Sequence, residues 1–352
     1  MKRFKKVGLG LLALSVGLSL VGCGKGGNKA EAESVKKDDY SVALVTDVGG
    51  VDDKSFNQSA WEGLQSWGKS HDRQKGNGGY TYYQSNTDAE FMLNLNSAID
   101  DDFNLNIGVG FKLQPALEET AAANSERQFV IIDSVIENQK NVLSVVFEAQ
   151  ESSYLAGIAA AMTTKTNKLG FIGGQEGEVI GLFEAGFVAG AKSVNPNIEV
   201  LVQYAGTFGE AAKGKSIASA MYHSGADVIF HAAGDTGNGV FSEAVDIMET
   251  KPANPVWVVG VDLDQQAEGK YNGGNVTLTS ALKSVSSVTE LISNNAMEGK
   301  FPGGTTQVYG LADGGVDITD GQLSKEILAK VKEAKEGIIA GTIKVPKVPE
   351  KK

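Results

Sequence analysis

From Tyr40 onward, short apolar runs alternate with segments of helical periodicity, and this alternation is the main constraint on the fold. Continuous runs of Val, Ile and Leu are typical of strands buried on both faces. Strands that alternate with helices indicate parallel sheets joined by right-handed crossovers. The predicted strands are 42–46, 81–84, 105–109, 128–132, 142–147, 168–172, 199–204, 227–232, 256–261 and 277–280. The predicted helices are 56–69, 94–98, 115–123, 154–163, 182–194, 217–223, 240–248 and 285–297.

This many strands exceeds what one compact lobe needs, so the sequence predicts two lobes with a cleft between them. We place the break near 147–153, after the fifth predicted strand. The expected fold class is therefore α/β, with two doubly wound parallel-sheet lobes. Ligands of such sheets bind beyond the carboxyl ends of the strands, so the residues just after each strand are the candidates for a site.

The amino-terminal segment has the order of a secretory signal. Basic residues at 2, 3, 5 and 6 precede an apolar run at 7–20 that is too short to span a bilayer. Cys23, the only cysteine, follows Leu20-Val21-Gly22, which resembles the lipobox of bacterial lipoproteins. We predict that residues 1–22 are a signal peptide, that Cys23 is lipidated, and that 23–39 form a flexible tether. The end of the chain, 346–352, is predicted to be disordered.

Charge and composition exclude several classes of partner and site. The net charge of −11 becomes −15 once the four basic residues of the signal are removed. Such an acidic body argues against nucleic acid and anionic membrane surfaces as partners. Three histidines without a Cys/His cluster argue against a zinc site, and the sequence predicts no metal, cofactor or catalytic residue.

The first predicted strand ends in a loop that carries Asp47. Ser55 and Gln58 form a capping-box pattern, which predicts a helix that begins near Phe56. An aromatic ring and a carboxylate then share one rim. The alternative is that Phe56 packs into the core and Asp47 only forms a turn.

Further candidates follow later strands or begin later helices. Asp133 and Asp262 stand at strand ends, and Lys283 follows the last predicted strand among apolar residues. Phe183 lies in the first turn of a predicted helix, and Gly234 belongs to a glycine-rich loop that either admits a ligand or simply turns. Carboxylates, one amine and aromatic rings suit a polyhydroxylated ligand with a flat ring.

Two motifs suggest other chemistry. The loop at 46–53 resembles the calcium-binding loop of nucleoside hydrolases, but Val45 replaces its first aspartate and Val51 is an additional residue. Calcium needs six to eight oxygen ligands, so these departures disfavour the site. The segment 209–216 matches the phosphate loop of nucleotide hydrolases, but its acidic interior favours a plain helix start.

Several motifs together resemble the basic membrane protein family, and in particular its PnrA-like purine nucleoside receptors. They are the segments 42–47, 55–57, 183–187, 225–230, 237–239, 260–265 and 279–283, which occur in the family's order. The resemblance implies a type I periplasmic-binding-protein fold with an N-terminal lobe of 40–147 plus about 278–306. The C-terminal lobe would comprise 148–277 plus about 307–345.

The resemblance also implies roles for individual residues. Asp47 and Asn57 would contact the base, Phe56 would stack on it, and Asp133 would face it. Asp262 would hold the ribose hydroxyls, with support from Lys283. Phe183 would be the second stacking ring, with Phe230 as its competitor.

The resulting expectation is a monomeric, non-enzymatic lipoprotein on the extracytoplasmic face of the cell membrane. It would capture guanosine, inosine or adenosine by hinge closure and deliver it to an ABC permease. The alternatives are a receptor of the same fold for a plain sugar and an extracellular nucleoside hydrolase.

Overall fold

The computed structural model describes residues 39–350 except 252 and 254, so Cys23 and the predicted signal peptide lie outside the described residues. Within the described range the chain forms two six-stranded sheets. The first contains β1 (Val42–Val45), β2 (Tyr80–Tyr83), β3 (Leu105–Val109), β4 (Gln128–Ile132), β5 (Val142–Phe147) and β13 (Thr306–Tyr309). The second contains β6 (Lys168–Gly173), β7 (Glu199–Tyr204), β8 (Val228–Ala232), β9 (Trp257–Asp262), β12 (Thr277–Lys283) and β14 (Val316–Ile318). A short hairpin of β10 (Lys270–Tyr271) and β11 (Gly274–Asn275) stands apart from both.

The two sheets share one topology, and this confirms the predicted fold class. The first has the order β13-β5-β4-β3-β1-β2 and is parallel throughout. The second has the order β14-β12-β9-β8-β6-β7 and is parallel except for β14, which runs antiparallel to β12. In each sheet the strand order reverses beside its first strand, which creates the crevice where doubly wound sheets bind ligands.

Helices cover both sheets. They are α1 (Phe56–Ser70), α2 (Phe91–Asp100), α3 (Gln114–Ala123), α4 (Ala149–Thr163), α5 (Glu178–Val194), α6 (Ala211–His223), α7 (Asp235–Thr250), α8 (Val285–Met297) and α9 (Lys325–Ile339). In the part of the chain that the structure describes, none of them combines the length and the apolar character needed to cross a bilayer.

Glycines set the distance between helices α4 and α5. A Cβ on Gly190 would lie 2.0 Å from the carbonyl oxygen of Tyr154, and one on Gly186 would lie 2.2 Å from that of Gln150. Only a residue without a side chain lets the two backbones approach this closely. This pair of helices forms one face of the second lobe, beside the crossover from β5.

The chain passes between the lobes after β5, after β12 and after β13, and two of these positions differ from the predicted boundaries. Strand β12 lies in the second sheet, where Ser280 pairs with Gly260, although the first-lobe segment was predicted to begin at about 278. Strand β13 lies in the first sheet, where Val308 pairs with Val146, although the second-lobe segment was predicted to begin at about 307. Apolar periodicity reveals a strand but not the sheet that accepts it.

The described part of the C-terminal tail, 346–350, was predicted to be disordered but lies along the second lobe. Lys347 Nζ donates to Glu148 Oε1 at 2.7 Å, where the chain leaves the first lobe. Glu350 pairs with Lys192 of α5, and the ring of Pro349 packs over Gly181. Sequence composition gave no sign of these contacts because each depends on a distant partner.

Candidate functional site

A cleft between the carboxyl ends of the two sheets has an empty volume of about 520 Å³, including space open to solvent. All of the residues predicted to bind the ligand, except Phe230, line it. The lining residues are Asp47, Gly49, Asp53, Phe56, Asn57, Gly110, Phe111, Asp133, Val179, Ile180, Phe183, Phe208, Ala232, Ala233, Gly234, Val261, Asp262 and Lys283.

One polar group of the cleft is built from the loop after β1 and the first turn of α1. Asn57 Nδ2 donates to Asp47 Oδ1 at 2.7 Å and to Asp53 Oδ2 at 3.0 Å, while Asn57 Oδ1 accepts from the backbone N–H of Asp47 at 3.2 Å. The N–H of Gly49 also donates to Asp47 Oδ1, at 3.0 Å. These bonds fix the orientation of the Asp47 carboxylate and leave its Oδ2 without a hydrogen bond from the described residues.

The helix that carries Phe56 begins where it was predicted to begin, but the predicted capping box is wrong. Ser55 makes no side-chain cap bond. Instead the Asp53 carboxylate accepts the backbone N–H groups of Ser55, Asn57 and Gln58 at 2.9–3.0 Å. Asp53 therefore satisfies the free donors of the first turn and places its negative charge at the helix amino terminus.

The second polar group joins the two lobes. Lys283, at the end of β12, forms an ion pair with Asp133, which follows β4 in the other lobe. The side chains of both residues are buried, 3% and 8% exposed. Ser55 of the first lobe donates its hydroxyl to Asp262 Oδ2 at the end of β9. The other carboxylate oxygen of Asp262 accepts no hydrogen bond from the described residues.

Burial raises the pKa of Asp53 and, in the same way, the pKa of the two carboxylates that keep a free oxygen, Asp47 and Asp262. It raises the pKa of Asp47 to about 6, against the opposing effect of the hydrogen bonds from Gly49 and Asn57. It also raises the pKa of Asp262 to about 6, against the attraction of Lys283 and the bond from Ser55. Removal from water disfavours the charged form in both cases, so hydrogen-bond donors of a ligand would relieve an existing cost.

Asp133 and Asp262 share an unusual backbone conformation. Their φ values are 66° and 64°, in the left-handed region that non-glycine residues rarely adopt. Asp133 directly follows β4 and Asp262 is the last residue of β9, and these two strands occupy the same position in the order of their sheets. Strain of this kind costs about 1–3 kcal/mol and is concentrated at ligand sites. It turns each carboxylate from the end of its strand into the cleft.

Aromatic rings line both walls of the cleft. Phe56 and Phe111 come from the first lobe, and Phe183 and Phe208 come from the second. Phe111 and Phe208 meet edge to face with their centroids 6.2 Å apart. Lys283 Nζ lies 4.3 Å from the centroid of Phe56 and 5.9 Å from that of Phe183, which is within reach of a cation–π interaction.

Phe230, which was considered as a stacking ring, belongs to the core. It has no exposed surface and packs behind the cleft wall against Phe171, Phe183 and Phe187. It lies in the middle of β8, whereas Phe56 begins α1 and Phe111 and Phe208 follow strands. Its position within the strand was the signal against it. Phe183 was predicted in the first turn of its helix, but α5 begins at Glu178 and places Phe183 in the second turn.

Sequence reasoning left Asp53, Phe111 and Phe208 out of the predicted site. Asp53 lies two residues before Ser55, and aspartate is as good a helix cap as serine. Phe208 lies four residues after the end of β7, so a search restricted to the residues next to strand ends passes over it. Gly234 (φ 55°) packs beside it, because a Cβ there would lie 3.3 Å from the Phe208 carbonyl oxygen.

Backbone contacts also bridge the lobes. Asn238 Nδ2 donates to the carbonyl oxygen of Asp53 at 3.1 Å, and Gln265 Nε2 donates to that of Lys54 at 2.8 Å. The loop after β1 therefore contacts the second lobe at several points, and the two lobes are closed against each other in this structure. Among residues 39–251, 253 and 255–350, no group of three or more His, Cys, Asp or Glu side chains is arranged to hold a metal ion.

Comparison with known proteins is consistent with this geometry. Residues 40–348 match the family described as "ABC transporter substrate-binding protein PnrA-like". The chain is 50% identical over 350 residues to the CD4+ T-cell-stimulating antigen of Listeria monocytogenes, covering 96% of this chain and 98% of that protein. It is 49% identical over 346 residues to the ABC transporter nucleoside-binding protein BmpA of Lactococcus lactis, covering 97% and 98%.

A solved structure gives the same fold. The chain superimposes on an ABC transporter solute-binding protein from Aeropyrum pernix with a TM-score of 0.78 at 24% identity, covering 89% of this chain and 94% of the other. The family model matches nearly all described residues, and relatives that are about half identical overlap the chain almost completely. These two findings decide the assignment. The chain belongs to the PnrA-like family of ABC transporter substrate-binding proteins.

Proposed function

We propose that this substrate-binding protein captures purine nucleosides outside the cell membrane and passes them unchanged to an ABC permease. The observation that carries the proposal is the composition of one cleft, in which buried carboxylates, a buried lysine and rings from both lobes converge. A nucleoside presents vicinal hydroxyls at one end and a flat, hydrogen-bonding ring at the other. The cleft likewise has one polar group that contains carboxylates and a lysine, around Asp262, and another that lies beside aromatic rings, around Asp47.

The ribose is assigned to the group formed by Asp133, Asp262 and Lys283. The free carboxylate oxygen of Asp262 accepts hydroxyl protons, and Lys283 donates to a ribose oxygen. The family resemblance put Asp133 against the base, but its ion pair with Lys283 favours the ribose end.

The base is assigned to Asp47, Asn57 and the rings around them. Asp47 Oδ2 accepts a ring or exocyclic N–H, and Asn57 holds the carboxylate in place. Phe56 stacks on one face, and the second ring comes from the opposite wall, which offers Phe183 and Phe208. Stacking contributes about 1–3 kcal/mol per base. The name of the Lactococcus relative, a nucleoside-binding protein, supports this choice of ligand.

Closure of the lobes completes the site. Ser55 with Asp262, Asp133 with Lys283 and Gln265 with Lys54 all join opposite lobes. Opening about the crossovers after β5, β12 and β13 separates these partners and admits the ligand. A ligand that binds both walls favours the closed form, which is the form offered to the permease.

Isothermal titration tests the proposal, with protein freed of co-purified ligand by partial unfolding and dialysis. We expect inosine, guanosine and adenosine to bind and ribose to bind much more weakly. Binding of none of the three nucleosides would refute the proposal. Ribose binding as tight as inosine binding would favour a plain sugar receptor, and release of hypoxanthine from inosine, with or without calcium, would favour a hydrolase.

We also propose that Cys23 carries the lipid that holds the protein at the membrane. Mass spectrometry of the mature amino terminus in membrane extracts tests this directly. A diacylglycerol-sized addition on Cys23 is expected, and the Cys23→Ser variant should appear in the culture medium. An unmodified Cys23 in membrane-bound protein would contradict the anchor.

A further inference from the structure

A groove beside the ligand cleft provides room that a nucleoside does not fill. It lies where the crossover after β5, the loop after β4 and the amino end of α5 meet, and Lys347 of the tail forms part of its rim. Its empty volume is about 1180 Å³, against about 520 Å³ in the cleft, and both volumes include space open to solvent.

The groove and the cleft adjoin each other and share part of their lining. Phe111, Asp133, Val179 and Lys283 line both of them. The junction therefore lies at the ion pair between Asp133 and Lys283, which the proposed function assigns to the ribose. A substituent on the 5′ carbon of a bound nucleoside would leave the cleft at this point and enter the groove.

The chemistry of the groove wall favours a neutral or cationic substituent. Its apolar part includes Leu182 and Val135, and Val135 is 40% exposed. Its acidic part includes Glu148 and Glu178, and both lining lysines already have partners, Lys347 with Glu148 and Lys283 with Asp133. The amino end of α5 opens here, but the charge of Glu178 in its first turn offsets the helix dipole.

We propose that this groove is a subsite for a neutral or cationic 5′ substituent, so that the protein accepts 5′-extended purine nucleosides and discriminates against nucleotides. The proposal rests on the proposed nucleoside function. A phosphate dianion in the groove would meet carboxylates without a free cation, which is unfavourable in a partly desolvated site.

The test compares adenosine, 5′-butylthio-5′-deoxyadenosine and AMP by isothermal titration. In the wild-type protein we expect the butylthio compound to bind within about threefold of adenosine, and AMP to bind at least about 100-fold more weakly. The variant Leu182→Trp fills the groove without replacing a residue that lines the cleft. It should keep adenosine affinity within about threefold and weaken the butylthio compound at least about tenfold.

The matched control is Val194→Trp, which places the same side chain at the exposed end of the same helix and should change neither affinity. Wild-type binding of the butylthio compound more than about tenfold weaker than adenosine would overturn the subsite, as would equal losses for both ligands in Leu182→Trp. AMP binding comparable to adenosine would overturn the discrimination. Failure of adenosine itself to bind would instead refute the nucleoside function, and the subsite with it.

Discussion

Replacement of Lys283 by methionine separates the closure of the lobes from the stability of each lobe. Lys283 and Asp133 form a buried ion pair, but they belong to different sheets. Methionine keeps much of the side-chain volume and removes the charge. In the closed form it leaves the Asp133 carboxylate buried without its partner, whereas in an open form that carboxylate regains water.

The expected effect follows from this geometry. Removal of one partner of a buried ion pair costs about 3–5 kcal/mol. The ammonium also lies 4.3 Å from the Phe56 ring centroid, and a cation–π contact there adds about 1 kcal/mol. Because this cost applies to the closed form alone, it shifts the opening equilibrium, and 3 kcal/mol corresponds to about a 100-fold weaker apparent affinity.

Two measurements together test the reasoning. Isothermal titration of Lys283→Met with inosine should show at least about a 100-fold loss of affinity. Thermal unfolding without ligand should shift by no more than about 3 °C. The control is Lys335→Met, which breaks the ion pair of Lys335 with Asp317, 2.7 Å apart within the second lobe. Its affinity for inosine should not change.

A double variant distinguishes the ion pair from a direct ligand contact. Lys283→Met combined with Asp133→Asn removes the unpaired charge and should recover part of the lost affinity. The explanation fails if Lys283→Met binds inosine as the wild type does. It also fails if Lys283→Met lowers the free energy of unfolding without ligand by as much as it weakens inosine binding, because the ion pair would then stabilise the fold itself and not only the closed form.

Three further predictions concern the walls and supports of the cleft. Burial raises the pKa of Asp47 to about 6, so this carboxyl stabilises the folded form below its ordinary pKa and the contribution is lost as pH rises through about 6. In urea denaturation, Asp47→Asn should therefore gain stability relative to wild type between about pH 4 and pH 7, and a pH-independent difference would contradict the burial effect. Phe208→Ala should weaken inosine binding by about 1–3 kcal/mol in titration, whereas Phe230→Ala, in a fully buried position, should lower the free energy of unfolding by about 3–5 kcal/mol; the reverse assignment of the two effects would disprove the proposed roles. Gly190→Val, whose Cβ would lie 2.0 Å from the Tyr154 carbonyl oxygen, should lower the free energy of unfolding by at least about 1–3 kcal/mol, and unchanged stability would show that α4 and α5 can separate freely.

The sequence predicted the strands of both sheet centres because their apolar runs are buried on both faces. It also predicted the edge strands β2 and β7, but it missed the opposite edges, β13 and β14. Strand β13 reads Thr-Gln-Val-Tyr and β14 reads Val-Asp-Ile, and both are only partly buried. Helix α9 was also missed, although Ile327, Val331 and Ala334 follow a helical period. These elements lie in the C-terminal part of the chain and pack back onto the two lobes. Local sequence patterns do not show which sheet receives a returning strand.

Ser55 shows why the candidate site was only partly predictable. The pattern of Ser55 and Gln58 gave the correct start for α1, because both Asp53 and Ser55 are residues that favour a helix start at this point. The pattern nevertheless gave the wrong cap. Asp53 satisfies the N–H groups of the first turn, and this frees the Ser55 hydroxyl to bond with Asp262, 207 residues later in the chain. Local sequence therefore determines that the first turn is capped, but the choice of the capping residue is decided by what the other lobe offers. A residue released from its local bond in this way is available to hold two lobes together, and such residues are found only once both lobes are in place.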